Sequence, residues 1–338
     1  MSNALSELLK VRPWLMADGA TGTNLFAMGL EAGEPPELWN FDHPDRIRAL
    51  HQGFVDAGSD IILTNSFGGT RYRLMLHNHQ DRAFELNKRA AELAREVADS
   101  VSQPVIVAGS VGPTGEIFEP VGTLSMTDAI AAFEEQIKGL MEGGVDVIWA
   151  ETISSEEEIT AIAQACQNLN APLCATLSFD TAGRTMMGVT STGYVEMQEN
   201  LPTKPVAFGA NCGTGAPDLL RTVLGLSAEN SDSVVIAKSN AGIPKYVDGL
   251  IEYDGTPDLM AVYACLALDA GARIIGGCCG TKPEHLKAMK AAMEEHTPRE
   301  RPALEIIASQ VGPFSSANDG TGDQRDAPKR ERRGRRRA

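Results

Sequence analysis

The chain has 338 residues, 43% of them apolar, which is enough to bury one large core or two modest ones. No run of 18 uncharged apolar residues occurs, and the first four residues lack the basic and apolar regions of a signal peptide, so we expect a soluble protein of the cytoplasm. The net charge of −15 argues against binding nucleic acid through the general surface. Six cysteines without regular spacing are typical of a reducing compartment.

Short apolar runs rich in Val and Ile alternate with longer amphipathic stretches, as in the βα units of a parallel sheet. The apolar runs predict strands at Trp14–Met16, Ile61–Leu63, Val105–Val107, Val145–Trp149, Leu173–Leu177, Val206–Phe208, Val234–Ala237 and Arg273–Ile275. The other stretches predict helices at about Asp45–Ala57, Gln80–Asp99, Thr127–Glu142, Ser155–Asn168, Thr192–Glu199, Pro217–Leu224, Pro257–Ala270 and Pro283–His296. Eight such units predict a single closed (β/α)8 barrel, an α/β TIM barrel, over residues 1–310.

The composition changes from about Val311. Residues 311–338 contain 8 Lys and Arg but 4 Asp and Glu, a net charge of +4, so the preceding residues carry −19. Because this stretch has almost no apolar residues to pack, we expect it to be a basic, disordered tail. Such a tail either remains solvated or docks electrostatically to an acidic partner, with weak contact to nucleic acid as a further alternative.

Polar and sulfur-bearing side chains follow the predicted strands. In (β/α)8 barrels the active site lies at the carboxyl ends of the strands, so we expect these side chains to share one mouth. The candidate site residues are Asp18, Gly19, Thr64, Ser66, Glu151, Asn211, Cys212, Asn240, Cys278 and Cys279.

Two adjacent cysteines, Cys278 and Cys279, lie between glycines just after the last predicted strand. A disulfide between neighbours needs a strained ring, whereas two thiolates can turn toward one zinc ion at about 2.3 Å each. Cys212 is the best third ligand, because it also follows a strand and precedes a glycine. Three thiolates with a vacant fourth position favour catalytic over structural zinc. The remaining cysteines, Cys166, Cys174 and Cys265, are expected in the core.

A three-thiolate zinc site favours alkyl transfer to a substrate thiol. Zinc removes the thiol proton while the sulfur stays nucleophilic, and the thiolates keep that sulfur electron-rich. Zinc hydrolases more often use His and carboxylate ligands, and no His-Glu-x-x-His motif occurs. The six histidines lie away from the predicted strand ends, and we expect His285 to face solvent.

An amino-acid thiol also has an ammonium and a carboxylate to bind. Asp18 and Glu151 could accept hydrogen bonds from the ammonium, and backbone amides of the glycine-rich turns could hold the carboxylate. Each of these two acids could instead be structural, the first in a turn and the second at a helix N-terminus. Asn211 and Asn240 either contact substrate or orient loops.

Seven motifs are spread along nearly the whole predicted barrel. They are Asp18-Gly19-Ala20-Thr21-Gly22, Thr64-Asn65-Ser66-Phe67, Gly112-Pro113-Thr114-Gly115, Glu151-Thr152, Asn211-Cys212, Asn240-Ala241-Gly242 and Gly276-Gly277-Cys278-Cys279-Gly280. With these motifs, of which the last is highly specific, the chain resembles the homocysteine S-methyltransferase family. It is most similar to the homocysteine-binding module of cobalamin-dependent methionine synthase and next to betaine–homocysteine S-methyltransferase.

The resemblance implies an enzyme that forms methionine from homocysteine, with Zn2+ held by Cys212, Cys278 and Cys279 and the substrate sulfur activated as a zinc thiolate. The methyl donor is expected to be methylcobalamin on a separate corrinoid protein, as in a split methionine synthase. The alternatives are betaine or another small donor such as S-methylmethionine. Betaine-using members place a tyrosine after the phenylalanine corresponding to Phe67, where this chain has Gly68-Gly69.

A second class of function is a noncatalytic zinc-thiolate or redox module tethered to a partner by the basic tail. Thiol exchange sites usually have Cys-x-x-Cys geometry, which the adjacent cysteines lack. Alkyl transfer is therefore the favoured function.

Overall fold

Eight parallel strands surround the centre of the molecule in the computed structural model, which describes residues 3–228, 233–247 and 250–320. The strands are β1 (Leu15–Met16), β2 (Ile61–Leu63), β3 (Ile106–Val111), β4 (Val147–Ile153), β5 (Leu173–Leu177), β6 (Ala207–Cys212), β7 (Val235–Ser239) and β10 (Ala272–Gly277). Their order in the sheet is β1-β10-β7-β6-β5-β4-β3-β2, and a bridge between Ala17 and Ile61 joins the two edges. The predicted TIM barrel is confirmed.

Helices surround the strands. They are α1 (Ala4–Val11), α2 (Thr21–Ala27), α3 (Trp39–Asp42), α4 (Pro44–Asp56), α5 (Arg71–Met75), α6 (Ala83–Asp99), α7 (Met126–Glu142), α8 (Glu156–Leu169), α9 (Ser191–Glu199), α10 (Ala216–Leu226), α11 (Pro257–Asp269), α12 (Pro283–Glu295) and α13 (Leu304–Val311). Ser125, Ser155 and Thr256 cap α7, α8 and α11 by accepting a hydrogen bond from an amide of the first turn. In the described residues, no helix is both long and apolar enough to cross a membrane.

A two-stranded antiparallel hairpin was not predicted from the sequence. It consists of β8 (Pro244–Val247) and β9 (Leu250–Tyr253), and it lies between β7 and α11, where no element was predicted from the sequence. His285 also differs from expectation, because its side chain is buried. Its Nδ1 accepts a hydrogen bond from the Lys282 amide, and its Nε2 lies 2.9 Å from the Gly255 carbonyl, so the start of α12 is connected to the loop after the hairpin.

The amino-terminal end of the barrel is closed by apolar side chains. Leu5, Leu8 and Leu9 of α1 form one buried cluster with a residue near the start of every barrel strand, among them Leu15 and Ile61. The cluster continues inward to Trp149, whose side chain is fully buried. A larger apolar cluster lies between the strands and the outer helices.

Helix α13 crosses the domain boundary predicted at residue 310, and the chain after it contacts the barrel as far as Gly320. The guanidinium carbon of Arg221 lies 4.7 Å from the centre of the Phe314 ring, and the Ser315 amide donates to Asp218 at 2.9 Å. The start of the predicted tail therefore packs on α10. Residues 321–338, which include the basic run, lie outside the described residues.

Candidate metal centre and adjoining pocket

The three predicted metal ligands meet at the carboxyl end of the barrel. Cys212 ends β6, and Cys278 and Cys279 directly follow β10, while β7 lies between these two strands. Ser239 of β7 pairs in register with both Cys212 and Gly277, so the cysteines of the two strands face each other. Their Sγ atoms all lie within 4.8 Å of one another, and those of Cys212 and Cys279 are 4.0 Å apart.

This geometry fits a tetrahedral ion. Two sulfurs that are each about 2.3 Å from zinc at a tetrahedral angle lie about 3.8 Å apart, which is close to the separation found here. Thiolates also bind zinc in preference to harder cations, which favour oxygen ligands. Within the described ranges, this is the one cluster of three or more His, Cys, Asp or Glu side chains close enough to share an ion.

Local backbone geometry holds the cysteines in place. Cys212 has a φ of +62°, which turns the chain sharply at the end of β6. The Cys278 amide donates to the Ser239 carbonyl at 2.7 Å. Gly280 has a φ of +79°, and a Cβ atom there would lie 2.4 Å from Cγ of Tyr253, so only glycine lets the hairpin approach this turn.

The close packing of three thiols disfavours their ionisation when no cation is bound. A hydrogen bond with Cys278 lowers the pKa of Cys212, but its contact with Cys279 and burial outweigh this and raise the pKa to about 12. For Cys279, the hydrogen bond with Cys212 lowers the pKa, while Cys278 and burial raise it to about 12. A cation bound between the sulfurs would reverse this balance.

Two asparagines flank the sulfurs. Asn211 is fully buried; its Nδ2 donates to the Thr152 hydroxyl at 2.7 Å and lies 3.8 Å from Sγ of Cys278, and its Oδ1 accepts from the Thr152 amide. Asn240 is buried and donates from Nδ2 to the Gly213 carbonyl at 2.9 Å, next to Cys212. Both amides therefore orient the loops that carry the cysteines.

A buried ion pair lies beneath the sulfurs. The Lys238 ammonium is 2.7 Å from Oδ1 of Asp18, and both side chains are at most 2% exposed. Oδ2 of Asp18 accepts a hydrogen bond from the Leu63 amide at 2.7 Å. Burial raises the pKa of Asp18, and Lys238 opposes this rise.

Glu151, at the end of β4, is partly exposed and accepts a hydrogen bond from the Ser110 hydroxyl. Thr64 and Ser66 support this contact, because the Thr64 hydroxyl accepts from the Ser110 amide at 2.9 Å and the Ser66 hydroxyl donates to the Ser110 carbonyl at 2.7 Å. Burial raises the pKa of Glu151, while Lys238 and Ser110 lower it.

Gly19 lies at the junction of β1 and the Cys279 turn. A Cβ atom there would be 2.7 Å from the Thr281 carbonyl oxygen, so the absence of a side chain lets the two segments approach. No site role was predicted from the sequence for Lys238, Ser110, Thr152 or Tyr253, although Thr152 belongs to one of the motifs. Of these, Lys238 had a signal: it lies two residues after Ile236 and so points into the barrel, where a lysine is unusual.

Comparisons with known proteins agree with the site. Residues 15–293 match the model of a family described as homocysteine S-methyltransferase. The crystal structure of the homocysteine methyltransferase MmuM from Escherichia coli in its metallated form is similar at 25% identity and a TM-score of 0.72, over 86% of this chain and 99% of that chain. The oxidized form gives 26% identity and a TM-score of 0.70 with the same coverage.

A methyltransferase from Methanosarcina mazei shares the fold at 12% identity and a TM-score of 0.53, over 87% of this chain and 99% of that chain. The family match covers most of the chain and includes all the residues of the metal centre and the adjoining pocket. The chain therefore belongs to the homocysteine S-methyltransferase family.

Proposed function

We propose that this chain is a zinc-dependent homocysteine S-methyltransferase that forms methionine. The observation that carries the proposal is the convergence of the Cys212, Cys278 and Cys279 sulfurs at a spacing that suits one tetrahedral ion. The similarity to a metallated homocysteine methyltransferase supports it. Zinc held by these residues would lower the pKa of the substrate thiol and keep its sulfur nucleophilic.

The residues around the sulfurs suit the rest of the substrate. Glu151 is partly exposed beside the cysteines and can accept a hydrogen bond from the ammonium of homocysteine. The Ser110 hydroxyl holds the Glu151 carboxylate in place. Asn211 and Asn240 keep the two cysteine loops in register. The homocysteine sulfur then attacks the methyl carbon, a carbon–sulfur bond forms, and the donor leaves with the electron pair of the bond that breaks.

For the methyl donor we propose a separate protein that carries a corrinoid, as in a split methionine synthase. A side chain after Phe67 would require its neighbours to move, because a Cβ at Gly68 would lie 2.9 Å from Oε1 of Glu37 and one at Gly69 would lie 2.4 Å from Oδ1 of Asn87. The loops that follow the strands carry exposed apolar side chains that suit a large partner, namely Phe67, Ile117, Val121, Met186, Met187 and Ile243.

Methionine formation tests both parts of the proposal. Zinc-loaded protein is incubated with homocysteine and, in parallel, with methylcobalamin on a corrinoid protein, betaine or S-methylmethionine. We expect methionine with the corrinoid protein. Betaine-dependent methionine from this chain alone would overturn the donor assignment, and thiol oxidation without methionine from any donor would favour the redox module.

The role of Glu151 is tested separately. Glu151→Gln removes a charged hydrogen bond of about 1.5–3 kcal/mol, so homocysteine binding should weaken about 10- to 150-fold while zinc content stays at one equivalent. Titration calorimetry measures the binding, and metal analysis is the control. Unchanged affinity would show that Glu151 does not bind the ammonium.

A further inference from the structure

Lys238 is the least expected residue of the pocket. It belongs to β7, and its side chain enters the barrel interior two residues after Ile236, where the other strands carry apolar side chains. It is 2% exposed, and its ammonium lies 5.5 Å from the centre of the Trp149 ring. A buried lysine requires a charged partner, because the cost of removing an ammonium from water is several kcal/mol.

Its two carboxylate neighbours are not equivalent. Asp18 is fully buried and has both oxygens engaged, one by the Lys238 ammonium and the other by the Leu63 amide. Glu151 is partly exposed, and among the described residues its hydrogen bond comes from Ser110. Glu151 lies two residues after Trp149 on β4, so it belongs to the same inward face as the ring that the ammonium contacts. Burial lowers the pKa of Lys238, but the charges of Asp18 and Glu151 outweigh it and raise the pKa.

The net charge of these three groups favours the binding of one more cation. Two carboxylates and one ammonium have a net charge of −1, which a single substrate ammonium would neutralise. Asp18 has no oxygen left to receive it without losing an existing bond, whereas Glu151 is partly exposed.

We propose that Lys238 is a positioning residue that engages the Asp18 carboxylate, so that Glu151 alone receives the ammonium of the thiol substrate. This inference rests on the proposed function, because it assumes an amino-acid thiol at the cysteines. It assigns Asp18 an indirect role: Asp18 holds the lysine away from Glu151 and does not itself bind substrate.

Removal of the Asp18 charge should reveal this arrangement. In Asp18→Asn the ammonium of Lys238 loses its partner, and Glu151 is the other carboxylate whose charge acts on it. The lysine then competes with the substrate ammonium for that carboxylate. In the double variant Asp18→Asn/Lys238→Gln, both charges are absent, Glu151 is free again, and two amides replace the buried ion pair.

The experiment measures binding of homocysteine and of 4-mercaptobutanoate, which lacks the amino group, to zinc-loaded wild-type protein, Asp18→Asn and the double variant. We expect Asp18→Asn to weaken homocysteine binding about 10-fold and 4-mercaptobutanoate binding less than about 2-fold. The double variant should bind homocysteine within about 3-fold of wild type. A loss of folding would weaken both ligands and lower the melting temperature, so the amine-free ligand separates the two causes.

The outcomes are distinct. If the double variant binds homocysteine as weakly as Asp18→Asn, Asp18 contacts the substrate directly and the inference is overturned. If Asp18→Asn binds both ligands like wild type, Lys238 does not compete for Glu151 and the inference is also overturned. If wild-type protein does not bind homocysteine at all, the proposed function fails and this inference fails with it.

Discussion

The two ends of the barrel interior contain opposite kinds of side chain. At the amino-terminal end, α1 covers a layer of apolar residues with Leu5 and Leu8. At the carboxyl end, the same strands lead to charged side chains, of which Asp18 and Lys238 are buried and Glu151 is partly exposed. The polarity changes within two or three residues along a strand. The barrel thus separates the residues that stabilise it from those that serve its site, as is usual for this fold.

The cysteines show the same contrast. Cys174 lies in the apolar layer and is fully buried, and burial raises the pKa of its thiol. Cys212 is partly exposed and close to two other sulfurs. The position along the strand therefore decides whether a cysteine packs or is available to a ligand.

The largest effect is expected when one of the three site cysteines is replaced, in contrast to the buried Cys174. Replacement of Cys212, Cys278 or Cys279 by Ala should remove bound zinc and reduce methionine formation by about three orders of magnitude or more, while the barrel stays folded, because its core does not depend on the ion. Cys174→Ala is the matched control and should keep its zinc and activity. Metal analysis and turnover check this, and one equivalent of zinc in all three site variants would contradict the assignment.

A substitution at the amino-terminal end of the barrel should affect stability alone. Leu5→Ala leaves a cavity in the layer that closes the barrel, so the free energy of unfolding should fall by about 2–5 kcal/mol. Turnover and the KM for homocysteine should not change under conditions where the variant is folded. Urea unfolding and steady-state kinetics measure the two quantities. A change in KM at full folding would show that the two ends are coupled.

His51 of α4 sharpens the comparison, because it is buried without the partners that Asp18 and Lys238 provide for each other. Neither ring nitrogen has a hydrogen-bond partner among the described residues, and burial lowers its pKa to about 4. An unfolded histidine has a pKa of about 6.5, so between these values the unfolded chain binds more protons than the folded chain. The free energy of unfolding should therefore fall by about 3 kcal/mol in total as the pH decreases from about 6.5 to 4.

His51→Leu should remove this part of the pH dependence. Urea unfolding of wild type and variant at pH 7 and pH 4.5 measures it. If both proteins lose equal stability over this interval, His51 is not responsible for the loss.

The smallest effect concerns the carboxyl terminus. Truncation after Val311 removes the contacts of Phe314 and Ser315 with Arg221 and Asp218, so the free energy of unfolding should fall by about 1–2 kcal/mol. Truncation after Gly320 keeps these contacts and should leave stability, zinc content and turnover with a free donor unchanged. Truncation after Gly320 could still slow methyl transfer from a corrinoid protein and weaken the salt dependence of that transfer. Such a result would show that the basic run docks the partner.

Much of the fold could be predicted because its signals are local. Apolar runs such as Ile61–Leu63 and Leu173–Leu177 coincide with strands, and prolines such as Pro257 and Pro283 begin helices at the predicted places. The hairpin that ends at Tyr253 was not predicted, because each of its four-residue strands includes a charged residue, Lys245 or Glu252, that interrupts the apolar run.

The sequence by itself determined the order of the βα units and, through the rule that polar residues follow the strands, which cysteines meet. Only the tertiary structure decided the partners of buried polar groups. Lys238 and Asp18 are 220 residues apart, and His285 is buried because its ring reaches the Gly255 carbonyl. Such pairs depend on which strand ends and loops become neighbours when the barrel closes, and periodicity along one segment carries no information about a contact with another.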